Sequence, residues 1–109
     1  MQTRYFLILA GSLLFSMPPA QAAVDMANGD ALAKASNCLA CHAVDHKVLG
    51  PSYQDVAKKY KGDKEAEARL VKKVKGGGAG VWGPIPMPPN GPKVSDANIQ
   101  TLVEWVLAH

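Results

Sequence analysis

A chain of 109 residues with a formal net charge of +3, 12 basic against 9 acidic side chains, has room for one domain and too little charge to hold nucleic acid. At this size an apolar core alone gives only about 3–5 kcal/mol, and small exported domains usually add disulfides or a metal. The two cysteines are separated only by Leu39 and Ala40, so a bond between them would close a trivial loop and constrain the unfolded chain little; something else must thicken the core.

Residues 1–22 read MQTRYFLILAGSLLFSMPPAQA. Arg4 supplies positive charge, Phe6 to Phe15 form an apolar run, Pro18-Pro19 break it, and Ala20-Gln21-Ala22 gives a small-x-small cleavage pattern. That is the layout of a secretory signal peptide, and the run falls short of the ~20 residues a spanning helix needs. Cleavage is expected after Ala22, leaving residues 23–109 as one soluble, exported domain; the alternative is a retained amphipathic helix. No cysteine precedes Cys38, so lipid attachment at a leader cysteine is not expected.

The mature chain reads as helical. VDMANGDALAKASN starts at Asp25 or Asn28, both good caps, and carries Ala31, Leu32 and Ala35 on one face. PSYQDVAKKY begins with Pro51 at a helix-entry position and sets Val56 and Tyr60 four apart. DKEAEARLVKKVKGG opens acidic and closes with lysines, matching the helix dipole; its apolar stripe is Ala66, Leu70, Val71 and Val74, and Gly76 to Gly78 stop it. SDANIQTLVEWVLAH has Ser95 as cap and Ile99, Leu102, Val103, Val106 and Leu107 along one face. No segment alternates with a period of two and no internal repeat appears.

Two segments carry chemistry. Cys38-Leu39-Ala40-Cys41-His42 is C-x-x-C-H, the spacing for c-type haem attachment. One turn separates the thiols so that each reaches one porphyrin vinyl group, and the next residue projects an imidazole at iron from the same side. Zinc would need two further ligands, and the chain has no second cysteine pair. A thioredoxin-like redox pair would call for a βαβ context; it remains the chief alternative to haem.

The other segment is GGGAGVWGPIPMPPNGPKV, with Pro84, Pro86, Pro88, Pro89 and Pro92 around Met87. A polyproline linker or ligand for a partner domain is the plain reading. However, the stretch joins two helices of one small domain, where long structureless loops are uncommon unless functional. Haem iron takes a second axial ligand unless the site handles gas or peroxide. His46 follows His42 too closely to reach the other face. His109 is terminal and expected to fray, so both histidines read as solvated. Met26 lies near the new terminus. Met87 remains, in a loop that prolines hold nearly rigid, which lowers the chain entropy opposing a weak thioether–iron bond; otherwise it is a gap-filler.

CLACHAVDHKVLGPSYQDVAKKY together with GVWGPIPMPPN resembles the small bacterial class I cytochromes c, the cytochrome c-551/c-552 group, over essentially the whole mature chain. The resemblance implies an all-α fold of four or five helices around one covalently bound haem c, with the terminal helices crossing. It implies thioethers at Cys38 and Cys41 and axial iron ligands His42 and Met87. By position, the Pro51 carbonyl accepts the Nδ1 proton of His42, as outer partners of metal-bound histidines do. Trp82 sends its indole N–H to a propionate or simply packs on the ring, and Asn90 orients the Met87 side. Lys73 departs from the pattern, standing where relatives often have arginine, and loses the bidentate fork. Gly91-Pro92 after MPPN is a second departure.

The function implied is that of a monomeric periplasmic electron shuttle, not an enzyme. It would exchange electrons with periplasmic redox proteins, such as a nitrite reductase, a cytochrome oxidase or a peroxidase, with no stable membrane insertion. The competing readings are a haem enzyme or gas sensor in which Met87 leaves iron, and a relay module docked permanently to a larger enzyme. Lysines including Lys47, Lys58, Lys59, Lys72, Lys73 and Lys75 read as solvated helix faces, some of which could border the haem edge and steer an acidic partner.

Overall fold

The computed structural model describes residues 11–16 and 24–109; the rest of the expected leader 1–22, and with it the expected cleavage pattern, lies outside the described residues. Residues 11–16 carry no regular structure and are exposed. The fold is all-α, with four helices among the described residues: α1 (Met26–Ala35), α2 (Tyr53–Lys59), α3 (Ala66–Gly76) and α4 (Asp96–Leu107). A 3-10 turn spans Cys38–Ala40. There is no strand among the described residues, only the isolated antiparallel bridges His42–Lys47 and Gly78–Met87. No described helix is long and apolar enough to cross a membrane.

Local chemistry sets the helix starts. Asp25, not Asn28, caps α1, its carboxylate accepting from the Asn28 N–H at 3.0 Å. Ser95 caps α4 in the same way, accepting from Asn98 N–H at 3.2 Å. For α2 the cap is Ser52, bonded to Asp55 N–H at 3.1 Å, which moves Pro51 one residue ahead of the cap. A side-chain acceptor satisfies one of the free N–H groups of the first turn, which proline cannot do. Lys73 and Lys75 close α3, and Gly77 then turns the chain at φ 71°.

The terminal helices meet: α4 packs on α1, α2 and α3 and is the centre of the fold. Its Ile99, Leu102, Val103 and Trp105 are buried, whereas Val106 and Leu107 are half-buried. The inward face of α1 is Gly29 and Ala33, while the expected Ala31 and Ala35 are exposed and Leu32 is half-buried. The reason is Trp105, since a Cβ at Gly29 would overlap its ring. Close helix approach here selects the absence of a side chain over the most apolar stripe. Gly29→Val should therefore cost about 1–3 kcal/mol, the usual penalty of overfilling a packed core. Denaturation should show a lower midpoint with an unchanged slope.

Along α3 only Ala66 is buried, and Leu70, Val71 and Val74 are half-buried. Leu70 and Val74 face a cleft rather than protein. The expected stripe is real, and part of it borders the cleft.

Candidate functional site

The cleft is lined by the Cys38–Tyr53 segment, by α3, by the loop 78–88 and by α4. Its lining is mostly carbon, and it holds about 1270 Å³ of empty space counting its open mouth.

Asn37, in the left-handed region at φ 58°, separates α1 from the cysteine turn. Asparagine tolerates that conformation better than most residues. The turn closes with the N–H groups of Cys41 and His42 both donating to the Cys38 carbonyl, at 3.2 and 3.0 Å. Cys38 and Cys41 are free and half-buried, and both line the cleft beside His42. Burial pushes the Cys38 thiol above its ordinary range, because a thiolate is poorly solvated there.

The chain then folds back under the imidazole. Gly50 N–H donates to the Cys41 carbonyl at 2.7 Å, and Tyr53 N–H to the Ala43 carbonyl at 2.9 Å. His42 Nδ1 lies 2.7 Å from the Pro51 carbonyl. Since a carbonyl only accepts, Nδ1 carries the proton and Nε2 keeps a free lone pair. A Cβ at Gly50 would overlap the His42 ring, so this backbone approaches the imidazole as only glycine can.

Met87 is half-buried in the loop between α3 and α4 and also lines the cleft. Its N–H donates to the Gly78 carbonyl at 2.8 Å, and Gly78 N–H donates back at 3.0 Å. The loop tail is pinned to α3. Asn90 N–H donates to Val74 O at 3.0 Å, its Nδ2 donates to Val74 O at 3.1 Å and Pro88 O at 3.3 Å, and Gly91 N–H donates to Lys75 O at 3.1 Å. Asn90 thus acts on the backbone around Met87. Trp82 lines the cleft but is 40% exposed, with Lys59 Nζ 5.5 Å from its ring centroid. Lys73 lines the cleft near Gly78, where a Cβ would lie 2.8 Å from its Nζ. It forms no ion pair among the described residues.

His46 is exposed and bonded only to Asp45, at 2.8 Å. His109, in contrast, is packed against the domain. Its Nδ1 lies 2.9 Å from the Trp105 carbonyl, and its ring meets Trp105 edge-on at 4.6 Å. An aromatic neighbour and the Trp105 carbonyl, which also accepts from the Ala108 N–H at 3.2 Å, hold the terminal residue.

Gly50 and Tyr53 escape pattern reading, and Gly77, expected only within the helix stop, has a second role. At Gly77 a Cβ would sit 2.5 Å from the Met87 carbonyl. Two half-buried thiols one turn apart, an imidazole with a free Nε2 and a thioether all border one carbon-lined cleft. This donor set fits a large, flat, apolar iron-bearing group.

Comparison with known proteins points the same way. The family model "Cytochrome c" matches residues 26–109. Cytochrome c-551 of Pseudomonas aeruginosa is 54% identical over 79 residues, covering 72% of this chain and 74% of that protein. Cytochrome c-552 of Nitrosomonas europaea is 46% identical over 107 residues, covering 98% of this chain and 97% of that protein. The crystal structure of wild-type Nitrosomonas europaea cytochrome c552 superposes with a TM-score of 0.69 at 51% identity, over 72% of this chain and 96% of that one. The class 1 cytochrome MtoD of Sideroxydans lithotrophicus ES-1 superposes with a TM-score of 0.67 at 36% identity, over 79% of this chain and 97% of that one.

Proposed function

The chain belongs to the cytochrome c family, and on that premise we propose that it is an exported, monomeric electron shuttle whose iron is held by His42 and Met87. It is a monohaem c-type cytochrome involved in electron transfer, with its haem c attached covalently. In our reading Cys38 and Cys41 form the thioethers, and Pro51, Trp82 and Asn90 support the cofactor. Residues 1–22 are a cleaved leader, residues 23–109 work in the periplasm, and the partners are periplasmic redox proteins such as a nitrite reductase, an oxidase or a peroxidase.

The observation that carries the reading is that an imidazole and a thioether border one cleft, each tied down by backbone hydrogen bonds. When bound, the haem supplies a one-electron Fe(III)/Fe(II) couple. The polypeptide does the rest. The Pro51 carbonyl keeps the proton on Nδ1 and so presents Nε2 as a ligand of fixed tautomer and raised basicity. The Met87 thioether, a soft donor, favours the reduced state. The Gly78 bridge and the Asn90 clasp hold the backbone that carries this thioether, and with His42 and Met87 both on the iron a substrate would have to displace a ligand. This favours a carrier over an enzyme.

Carbon monoxide tests the carrier reading. The ferrous protein should bind it slowly at neutral pH, while exchanging electrons rapidly and saturably with a periplasmic reductase or oxidase. Because the net charge is small, salt should change that exchange only modestly. Rapid carbon monoxide binding, or peroxide turnover without a partner, would overturn it.

Gly77 gives a further check. At φ 71° and ψ −170° it occupies a region open essentially to glycine alone, and a Cβ would strike the Met87 carbonyl. Gly77→Ala should loosen the Met87 loop and raise the apparent affinity of the ferric protein for added imidazole by about tenfold, or ~1.4 kcal/mol. An imidazole titration followed in the visible band measures it.

A further inference from the structure

A hydrogen bond from Nδ1 fixes one direction of the His42 ring and leaves it free to swing about that line. Histidine χ2 is itself a soft, broad torsion. Something else must fix the plane of the imidazole. Tyr53, at the start of α2, meets that need. Its ring lies against His42 in a stacked arrangement, with centroids 5.5 Å apart and planes 25° apart. Tyr53 is only 4% exposed, so the ring cannot move aside into solvent.

The other side of Tyr53 is braced. Trp105 meets it edge-on, with centroids 4.9 Å apart and planes at 65°, a favoured aromatic geometry. Trp105 is 2% exposed, seated against Gly29 of α1 and closed off by the His109 ring. His109 also reaches Tyr53 itself, at 5.8 Å between centroids. A continuous row of rings therefore runs from His42 through Tyr53 and Trp105 to the C-terminus. The Tyr53 hydroxyl is buried and has no hydrogen-bond partner among the described residues. Ring packing on both sides holds Tyr53 where it is.

We propose that Tyr53 is a positioning residue for the proximal ligand: its ring, wedged between His42 and Trp105, sets the plane in which the imidazole meets the iron. The role rests on reading His42 as an axial ligand. The plane matters because the imidazole π orbital selects which of two nearly equal iron d orbitals carries the unpaired electron of the ferric state. That choice governs how spin density spreads toward the haem edge.

The test is the proton NMR spectrum of the intact, haem-loaded ferric protein, where the order and spread of the ring-methyl resonances report the ligand planes. Tyr53→Phe keeps the ring and should retain the wild-type order. Tyr53→Leu removes the face against His42 and should shift the methyl resonances and change their order while the protein stays low-spin. Should the leucine variant fail to load haem, Tyr53→Met fills comparable volume with a flexible chain and should give the same change. Wild-type methyl order in the leucine or methionine variant, with only stability reduced, would make Tyr53 a core residue and overturn the proposal. A phenylalanine variant that shifts as far as leucine would place the effect in the hydroxyl and overturn it equally. Failure of the underlying reading looks different: the wild type itself would then lack a low-spin ferric spectrum.

Discussion

Met87→Ala should turn the oxidised protein from low-spin to high-spin or water-ligated and abolish its near-infrared sulfur-to-iron band. The ferrous form should then bind carbon monoxide rapidly. The loop is held by backbone contacts that alanine keeps, the Gly78 pair and the Asn90 clasp on Val74, so the substitution should remove a ligand rather than unfold the site. Met87→His should stay low-spin but lose potential, since imidazole stabilises ferric iron where a thioether does not. Axial ligands tune haem potentials over about 0.8 V, and a drop of some tenths of a volt is expected. The two variants separate an open site from a replaced ligand. If neither alters the near-infrared band, Met87 does not bind the iron.

These residues were legible because their chemistry is local. C-x-x-C-H is a single turn, and the prolines around Met87 mark a stiff loop with no other evident purpose. The caps of α1 and α4 are legible too, one of them ambiguously, whereas the Ser52 cap of α2 is not. Asp25 and Asn28 are both good N-caps, and only the backbone decides that Asp25 takes the role. The α1 face was misread because periodicity scores apolar side chains, whereas the crossing with α4 needs Gly29 to have none. The α3 stripe is apolar as its periodicity indicates, yet Leu70 and Val74 are half-buried because they face the cleft.

Gly50, Tyr53, Gly77 and His109 share one property: each is defined by a contact with a distant or folded-back segment. Gly50 lies against the His42 ring, Gly77 against the Met87 carbonyl, and Tyr53 and His109 against Trp105. A tyrosine at the start of a short helix, or a terminal histidine, has no sequence period that announces such a contact. The helix scaffold and the candidate donor residues thus follow from local rules, while the residues that pack against those donors follow from the fold.

The same incomplete core predicts the consequence of losing the attachment points. The buried apolar residues are few: Ala33, Tyr53, Val56, Ala57, Ala66, Ile99, Leu102, Val103 and Trp105, several of them small, arranged around a cleft that the chain does not fill. With thioethers at Cys38 and Cys41, the haem stays at the site whatever the protein concentration. Acid-acetone extraction of the wild type should therefore leave the colour with the protein, and its thermal midpoint should not change on dilution. In the Cys38→Ala/Cys41→Ala double variant the haem becomes an ordinary ligand, and its contribution to stability follows RT ln(1 + [L]/Kd), about 2.7 kcal/mol at a free concentration of one hundred times Kd and vanishing as the solution is diluted. That variant should release its colour on extraction, melt lower at lower concentration and accumulate poorly in the cell. Each single variant should retain one bond and fall between these limits. Release of the colour from the wild type, after export in a host that attaches haem, would exclude covalent attachment at Cys38 and Cys41.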